Sequence, residues 1–264
     1  MEGSKVTSYD QRMLTWKRIS VFLFAFLFLN PVKGQSSLKD SVKTVGSGKA
    51  INGTQQKFTS IPYNITKEKT QVKNAPVALL LSGDGGWFSF EQAIADKLGA
   101  YGIPTIGLDT RKYFWNRKTP EKTASDMAEI LNYYGNEWGK QRFMLIGYSQ
   151  GAEIVPFLVT LFPDHIKSNV VSAVLLSPAK TTDFEVHISN MLDLGNRQNT
   201  YNVLEEIKKL KNVYIICIYG ENEKSPIPVL LKETPVKFVF IPGDHHYHGN
   251  STLIVKVMKD NKAF

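Results

Sequence analysis

The sequence predicts a protein of the α/β class, in which helices cover both faces of a mostly parallel central sheet. From residue 58 onward, short apolar segments alternate with segments of helical periodicity. Most of the apolar segments lack polar alternation, as expected of strands that are buried on both faces. The spacing leaves room for a helix after most strands, which is typical of parallel sheets.

The predicted strands are short runs of aliphatic and aromatic residues between turn-forming residues. They are Phe58–Ile65, Val77–Leu81, Thr105–Leu108, Phe143–Ile146, Val171–Leu176, Val213–Tyr219 and Lys237–Ile241. The lone cysteine, Cys217, lies in the sixth of these strands, so we expect a buried side chain rather than a reactive thiol.

The predicted helices carry apolar residues three or four positions apart. They are Ser89–Ala100, a helix that begins at Thr119-Pro120-Glu121 and runs to Trp138, Ala152–Phe162, Tyr201–Leu210, Pro226–Lys232 and Thr252–Asp260. Threonine followed by proline and glutamate is a strong start signal for a helix. Pro156 is expected to kink its helix or shift the start of it, because proline has no N–H to donate.

Residues 1–34 have the pattern of a secretory signal peptide. Basic residues precede an apolar run at 19–29, and Val32 and Gly34 follow at positions that suit a signal-peptidase site. As a helix, that run would rise about 16 Å, about half of a bilayer core, so a retained membrane anchor is the weaker interpretation. Residues 35–57 are polar and predict a flexible tether, which leaves 58–264 as a single domain.

The charge of the chain favours an anionic lipid surface over nucleic acid as a partner. The formal net charge is +8, of which residues 1–34 contribute +3, so the exported chain keeps +5. An exported chain with no zinc-binding spacing and no long block of lysine and arginine does not fit nucleic-acid binding.

The motif that carries chemistry is Gly147-Tyr-Ser-Gln-Gly151, which fits the pattern G-x-S-x-G between a predicted strand and a predicted helix. In this context the chain reverses sharply at Ser149, and a side chain at either glycine would collide with the neighbouring strand or helix. The sequence therefore predicts an exposed nucleophilic hydroxyl at Ser149.

A serine nucleophile needs a histidine base and an acid that orients it, in the chain order serine, acid, histidine. Glu223 is the first candidate for the acid and Glu221 the second, since both follow a predicted strand. His245 and His246 follow the next strand, and either fits the base, with His245 preferred. A metal site at this histidine-rich segment is the other interpretation, but the order of acid and histidine already explains it.

The oxyanion of the reaction needs two backbone donors. One is the N–H of Gln150, directly after the nucleophile, and the other is expected from Asp84 or its neighbour in the glycine-rich loop 82–87. A nucleotide-binding loop is the alternative for this segment. It is disfavoured because the pattern G-x-G-x-x-G is broken by Phe88.

Five blocks of the chain together resemble the AcvB/VirJ bacterial virulence-protein family. They are Ser82-Gly-Asp-Gly-Gly-Trp87, the segment from Asp109 to Pro120, Gly147-Tyr-Ser-Gln-Gly151-Ala, Thr182-Asp-Phe-Glu-Val-His187 and Gly243-Asp-His-His-Tyr247, and the match spans about Ile61 to Val257. The resemblance implies an α/β-hydrolase fold, export to the periplasm, a link to type IV secretion and hydrolysis of lysyl-phosphatidylglycerol. One residue departs from the family pattern: Asp244 stands where the family has glycine, and it could bond a histidine or change its basicity.

Three groups of residues are candidates for substrate binding. Gly83, Trp87 and Tyr148 lie in the blocks around the nucleophile and the glycine-rich loop. Asp183 and Glu185, with His187, could share one face of a short segment and bind the amine of an aminoacyl group, or they could be solvated or paired with Arg111 or Arg197. The cations and aromatics from Arg111 to Lys118, with Arg111 and Arg117 foremost, suit a phospholipid headgroup.

These inferences combine into one hypothesis with three alternatives. The hypothesis is an exported serine hydrolase, associated with the membrane, that cleaves an aminoacyl ester of phosphatidylglycerol and needs no metal or organic cofactor. The alternatives are a generic carboxylesterase or lipase, a peptidase, and a non-catalytic periplasmic binding protein or chaperone linked to type IV secretion.

Overall fold

The computed structural model describes residues 58–186 and 200–264. The predicted signal peptide and tether, as well as His187 and Arg197, lie outside these residues. No helix in the described ranges is long and apolar enough to cross a membrane, and the apolar run at 19–29 is not part of them.

The strands of the described chain form one large and one small sheet. Their bounds are β1 Tyr63–Thr66, β2 Val77–Leu81, β3 Thr105–Leu108, β4 Phe143–Tyr148, β5 Val170–Leu176, β6 Thr181–Thr182, β7 Tyr201–Asn202, β8 Tyr214–Gly220 and β9 Lys237–Ile241. The large sheet has the order β1-β3-β2-β4-β5-β8-β9, and the small one pairs β6 with β7. Only the edge strand β1 is antiparallel to its neighbour in the large sheet.

Helices lie on both faces of the large sheet. Their bounds are α1 Ser89–Ala100, α2 Thr110–Tyr113, α3 Pro120–Glu137, α4 Gln150–Leu161, α5 Asp164–Lys167, α6 Val203–Lys209, α7 Ile227–Leu230 and α8 Ser251–Asp260. Successive strand residues point to opposite faces. Leu79 and Leu145 therefore pack in the cluster that holds α3, α4 and α6. Leu80 and Ile146 pack in the cluster that holds α1 and α8.

This architecture confirms the predicted fold class, because a mostly parallel sheet is covered by helices on both faces. The strands predicted from apolar runs agree with the observed bounds to within two residues, except the first. That strand begins at Tyr63 instead of Phe58, because the Ile61 N–H donates to the Phe58 carbonyl and closes a turn there.

Several predicted helix bounds were wrong for local reasons. α4 begins at Gln150, directly after Ser149, and continues through Pro156, so the proline does not shift its start. Tyr201 pairs with Thr182 in the small sheet. The Asn202 side chain caps the next segment, so α6 begins only at Val203. The segment expected at 226–232 forms the single turn α7, and the short helices α2 and α5 were not predicted.

We expect Leu145→Ala to lower the free energy of unfolding by about 2–5 kcal/mol, because the side chain is completely buried in the middle of the sheet and its removal leaves a cavity. The matched control is Leu230→Ala, whose side chain is 47% exposed. It should change stability by no more than about 0.5 kcal/mol. Urea unfolding of the two variants measures both effects, and equal losses would contradict the assigned packing.

Candidate active site

Ser149 occupies a sharp turn between β4 and α4. Its backbone has φ 52° and ψ −118°, which places a non-glycine residue in a region that costs energy. The Ser149 N–H donates to the Leu176 carbonyl at 2.9 Å, which ties the turn to the neighbouring strand β5. The turn thus holds the serine at the carboxyl end of the central strand.

Two glycines make this turn possible. A Cβ atom at Gly147 would lie 2.3 Å from the carbonyl of Gly151, and one at Gly151 would lie 2.4 Å from the carbonyl oxygen of Leu81. Both distances are far below van der Waals contact, so the backbone of α4 can approach β2 and β4 only where side chains are missing. The steric reason predicted for the two glycines of the motif is present in the structure.

Ser149, His245 and Glu223 form a continuous chain of hydrogen bonds. The Ser149 Oγ lies 3.0 Å from the His245 Nε2, and the His245 Nδ1 lies 3.1 Å from the Glu223 Oε2. A hydroxyl held by an imidazole that a carboxylate orients can lose its proton as it attacks an electrophile. The three residues come from loops that follow β4, β8 and β9, all of which end at the same edge of the sheet.

The second oxygen of Glu223 is also bound. Its Oε1 accepts from the Ser177 hydroxyl at 2.5 Å and from the Gly220 N–H at 2.8 Å. Burial alone would raise the pKa of this carboxyl, but the hydrogen bonds from His245, Ser177 and Gly220 outweigh it and lower the pKa. Glu223 is therefore held as a carboxylate in a fixed orientation.

The carboxylate in turn raises the pKa of His245, because its hydrogen bond stabilises the imidazolium. Burial acts in the opposite direction and is the smaller effect. The histidine is thus a stronger base than a free imidazole, as a proton acceptor for serine requires.

The alternative residues have other contacts. The His246 Nδ1 lies 2.7 Å from the Tyr148 hydroxyl, and its ring lies at the rim of the serine cavity. The departure from the family pattern, Asp244, accepts the backbone N–H of His246 at 2.9 Å, and this bond lowers the pKa of Asp244. Glu221 is exposed, and its N–H donates to the Ile241 carbonyl.

The residues predicted to bind the oxyanion lie on two sides of Ser149. Gln150 is the first residue of α4, so its N–H has no acceptor within the helix. Gly83 packs against the serine, since a Cβ at Gly83 would be 3.4 Å from the Ser149 Cβ. The Gly86 N–H donates to the Gly83 carbonyl at 3.0 Å and closes the loop that carries Asp84.

A cavity of about 380 Å³ opens over Ser149. Three aromatic residues, two acidic residues and two histidines lie in its wall: Phe88, Phe90, Tyr148, Asp84, Glu91, His245 and His246. Burial raises the pKa of Glu91, although its backbone hydrogen bonds act in the other direction. The predicted substrate-binding residues Gly83 and Tyr148 both belong to this wall.

Asp183 and Glu185 lie near Gln150 but have other partners. The Gln150 side chain donates to the backbone carbonyls of both residues, at 3.3 Å and 3.2 Å. The Asp183 carboxylate accepts the Thr200 N–H, and the Glu185 carboxylate pairs with Arg117 at 2.9 Å. Of the partners considered from the sequence, Arg111 is thus replaced by Arg117 at Glu185, and Arg197 lies outside the described residues. His187 lies outside the described residues.

A second cavity of about 480 Å³ adjoins the first, and both have Gly85, Gly86 and Phe88 in their walls. The second cavity also contains Trp87, Arg111, Lys112 and Trp115. Trp87 thus belongs to the wall of the second cavity and not to that of the first. Its ring packs over Gly107, where any Cβ would be 2.1 Å from the ring. Of the aromatics near Arg111, Tyr113 and Phe114 are buried, whereas Trp115 is exposed.

Sequence reasoning missed three residues around this site. Ser177 and Tyr247 support Glu223, and their hydroxyl oxygens lie 2.5 Å apart. Ser177 is a polar residue directly after the apolar strand β5, and this position in the sequence could have indicated its role. Glu91 accepts the Phe88 N–H at 3.1 Å, and its signal was a glutamate in the first turn of α1.

The described residues contain no group of three histidine, cysteine or acidic side chains that could hold a metal ion. His245 and His246 instead contact Ser149 and Tyr148.

The fold is that of the α/β hydrolases. Est1E from Butyrivibrio proteoclasticus is similar with a TM-score of 0.55 and 16% identity over 77% of this chain and 96% of that one. MenH from S. aureus has a TM-score of 0.53 and 12% identity over 76% and 98% of the two chains. Proline iminopeptidase from Mycobacterium smegmatis has a TM-score of 0.52 and 10% identity over 76% and 97%. At these identities the likeness shows the fold alone.

The chain itself belongs to the family described as bacterial virulence protein (VirJ), whose model matches residues 75–263. This confirms the family resemblance inferred from the five sequence blocks. Among curated proteins, no sequence matches this chain.

We expect the pKa of His245 to lie above that of a free imidazole and to fall in Glu223→Gln. The carboxylate favours the charged ring, so its removal makes protonation harder and moves the titration to lower pH. Glu221→Gln is the control, and it should leave the titration in place. NMR titration of the imidazole signals measures this pKa in the native protein and in the two variants. A pKa that stays unchanged in Glu223→Gln would contradict the assigned contact.

Proposed function

We propose that the protein is an exported serine hydrolase that cleaves an aminoacyl ester of phosphatidylglycerol. The observation that carries this proposal is the hydrogen-bond chain from Ser149 through His245 to Glu223 in the wall of a cavity. The α/β-hydrolase fold supports it, because in that fold a serine on such a turn is the nucleophile.

In the proposed reaction the Ser149 Oγ attacks the ester carbonyl carbon while His245 Nε2 takes the serine proton. Glu223 stabilises the imidazolium, and the backbone N–H groups of Gln150 and Asp84 bind the oxyanion. The tetrahedral intermediate collapses, and the leaving alcohol takes the proton from His245. Water then attacks the acyl-serine with His245 as base, which releases the amino acid and restores Ser149.

The acyl group of the proposed substrate carries a cationic amine. Asp84 favours such a group because it lies in the wall of the serine cavity. Asp84 replaces Glu185 as the first choice, since Glu185 is already paired with Arg117. The lysyl ester in particular is what the family resemblance implies.

The second cavity supports a phospholipid as the other half of the substrate. Arg111 and Lys112 lie in it, and a guanidinium binds phosphate oxygens through paired hydrogen bonds. The exposed rings of Phe88 and Trp115 lie at the same cavity, with 62% and 52% of their surfaces accessible. Aromatic rings beside cations suit the boundary between water and lipid.

The proposed location is the periplasm, at an anionic membrane surface. The signal-peptide pattern of residues 1–34 and the positive charge of the remaining chain support this location. Components of a secretion system are further partners implied by the family resemblance.

The decisive experiment incubates the protein without residues 1–34 with lysyl-phosphatidylglycerol in mixed micelles and measures free lysine. We expect release by the native protein and a loss of at least about 10³-fold in Ser149→Ala, because the nucleophile is removed. A fluorophosphonate should label the native serine and leave the variant unlabelled.

Three outcomes would contradict the proposal. Turnover of p-nitrophenyl esters without lysine release would indicate a generic esterase and remove the lipid substrate. Cleavage of aminoacyl amides in preference to esters would indicate a peptidase. No turnover and no labelling would favour the binding protein.

We expect Arg111→Ala to raise KM for the micellar lipid several-fold while the hydrolysis of a water-soluble aminoacyl ester stays unchanged, since only the lipid carries a phosphate. Arg142→Ala is the matched control. It removes the same charge at the amino end of β4, where Arg142 donates to the Asn74 carbonyl. A similar KM increase in both variants would indicate a general charge effect and would contradict a headgroup site at Arg111.

A further inference from the structure

The backbone around Asp84 is held by several contacts, and these decide where its N–H points. The Gly83 carbonyl accepts the Gly86 N–H at 3.0 Å and the Ser82 hydroxyl at 3.2 Å. A trans peptide is planar, so the N–H of a residue points away from the carbonyl that precedes it. The Asp84 N–H is thereby directed away from the interior of its own loop.

Glu91 contacts both ends of the same loop. Its Oε2 accepts the Phe88 N–H at 3.1 Å, and the Gly83 backbone lies close enough to the carboxylate to lower the pKa of Glu91 against the effect of burial. Gly83 begins the loop and Phe88 ends it, at the start of α1. One side chain, only 3% exposed, therefore joins the strand side of the loop to the helix side.

The glycines of the loop give it little stiffness of its own. Gly83, Gly85 and Gly86 have no side chains to pack, and Gly86 adopts a φ of 106°. Such a segment samples many conformations unless outside contacts restrain it. An oxyanion donor is effective only within a few tenths of an ångström of its correct place.

We infer that Glu91 is a positioning residue of the oxyanion site: its carboxylate fixes the loop 83–88 so that the Asp84 N–H faces the reacting carbonyl beside Ser149. This rests on the proposed function, because it assumes an acyl transfer at Ser149. Glu91 does not touch the reacting atoms and acts through the backbone of Gly83 and Phe88.

A carboxylate suits this position better than an amide does. A carboxylate can accept at both oxygens, one toward Phe88 and one toward Gly83, whereas a glutamine offers one oxygen and one NH₂ group. Glu91→Gln should therefore keep one loop contact and lose the other, whereas Glu91→Ala loses both. The effects of the two substitutions should therefore be graded. Glutamine has nearly the same shape as glutamate, so Glu91→Gln changes the packing little.

The test measures kcat and KM for a p-nitrophenyl ester in native protein, Glu91→Gln and Glu91→Ala. Removal of one oxyanion donor lowers kcat by about 10²–10³-fold. A displaced donor should cost less, so we expect kcat to fall about tenfold in the glutamine variant and further in the alanine variant, with KM nearly constant. The control is Glu121→Gln, an exposed glutamate in the first turn of α3.

A second measurement separates positioning from a merely structural role. Phenylboronic acid forms a tetrahedral adduct with a serine oxygen and resembles the reaction intermediate. Its affinity should weaken by the same factor as kcat in each variant, while thermal unfolding shows the fraction of folded protein. If the alanine variant does not fold, the comparison of native protein with Glu91→Gln alone tests the inference.

These measurements distinguish a failure of the positioning role from a failure of the proposed function. If native protein neither hydrolyses the ester nor binds the boronic acid, both inferences fall. If native protein is active but Glu91→Gln and Glu91→Ala match it, the positioning role alone is wrong. A rise in KM at constant kcat and constant boronic acid affinity would also overturn it, since it would indicate a role in ground-state binding.

Discussion

The structure depends on one close approach of backbones, where α4 begins directly behind β4. The missing side chains at Gly147 and Gly151 let the helix contact the carbonyl groups of the sheet at distances that no Cβ permits. That approach forces Ser149 into its strained conformation and places Gln150, whose N–H has no acceptor within the helix, directly after the serine. The positions of the Ser149 hydroxyl and of the Gln150 N–H, the proposed oxyanion donor, thus have the same origin.

The parallel sheet assembles the rest of the site around this point. Loops after β2, β4, β8 and β9 meet at one edge because parallel strands end on the same side. Residues separated by 96 positions, Ser149 and His245, thereby come within hydrogen-bond distance. The support behind them is polar and buried: Ser177 and Tyr247 contact each other, and the Tyr247 hydroxyl donates to the Ile218 carbonyl. Such a network leaves the carboxylate of Glu223 a single orientation.

Most of the sheet was predictable from the sequence because its strands are buried on both faces and stand out as apolar runs. The serine turn was predictable too, since its pattern and flanking elements are local. Contacts between distant segments were not. The pairing of Glu185 with Arg117 spans 68 positions, and Trp87 packs over Gly107 in a contact that no periodicity shows. The sequence could rank His245 above His246 only weakly, because their separate partners, Ser149 and Tyr148, depend on the loop geometry after β9.

The loops after β8 and β9 meet as closely as the serine turn does. A Cβ at Gly220 would lie 2.3 Å from the carbonyl oxygen of Asp244, the residue before His245. Every missense change in that glycine codon adds a side chain at this contact. It forces apart the loop after β8, which carries Glu223, and the loop after β9, which carries His245. In genetic terms, missense alleles of codon 220 should cause loss of function as readily as those of codon 149, although Gly220 contributes no side chain to the site.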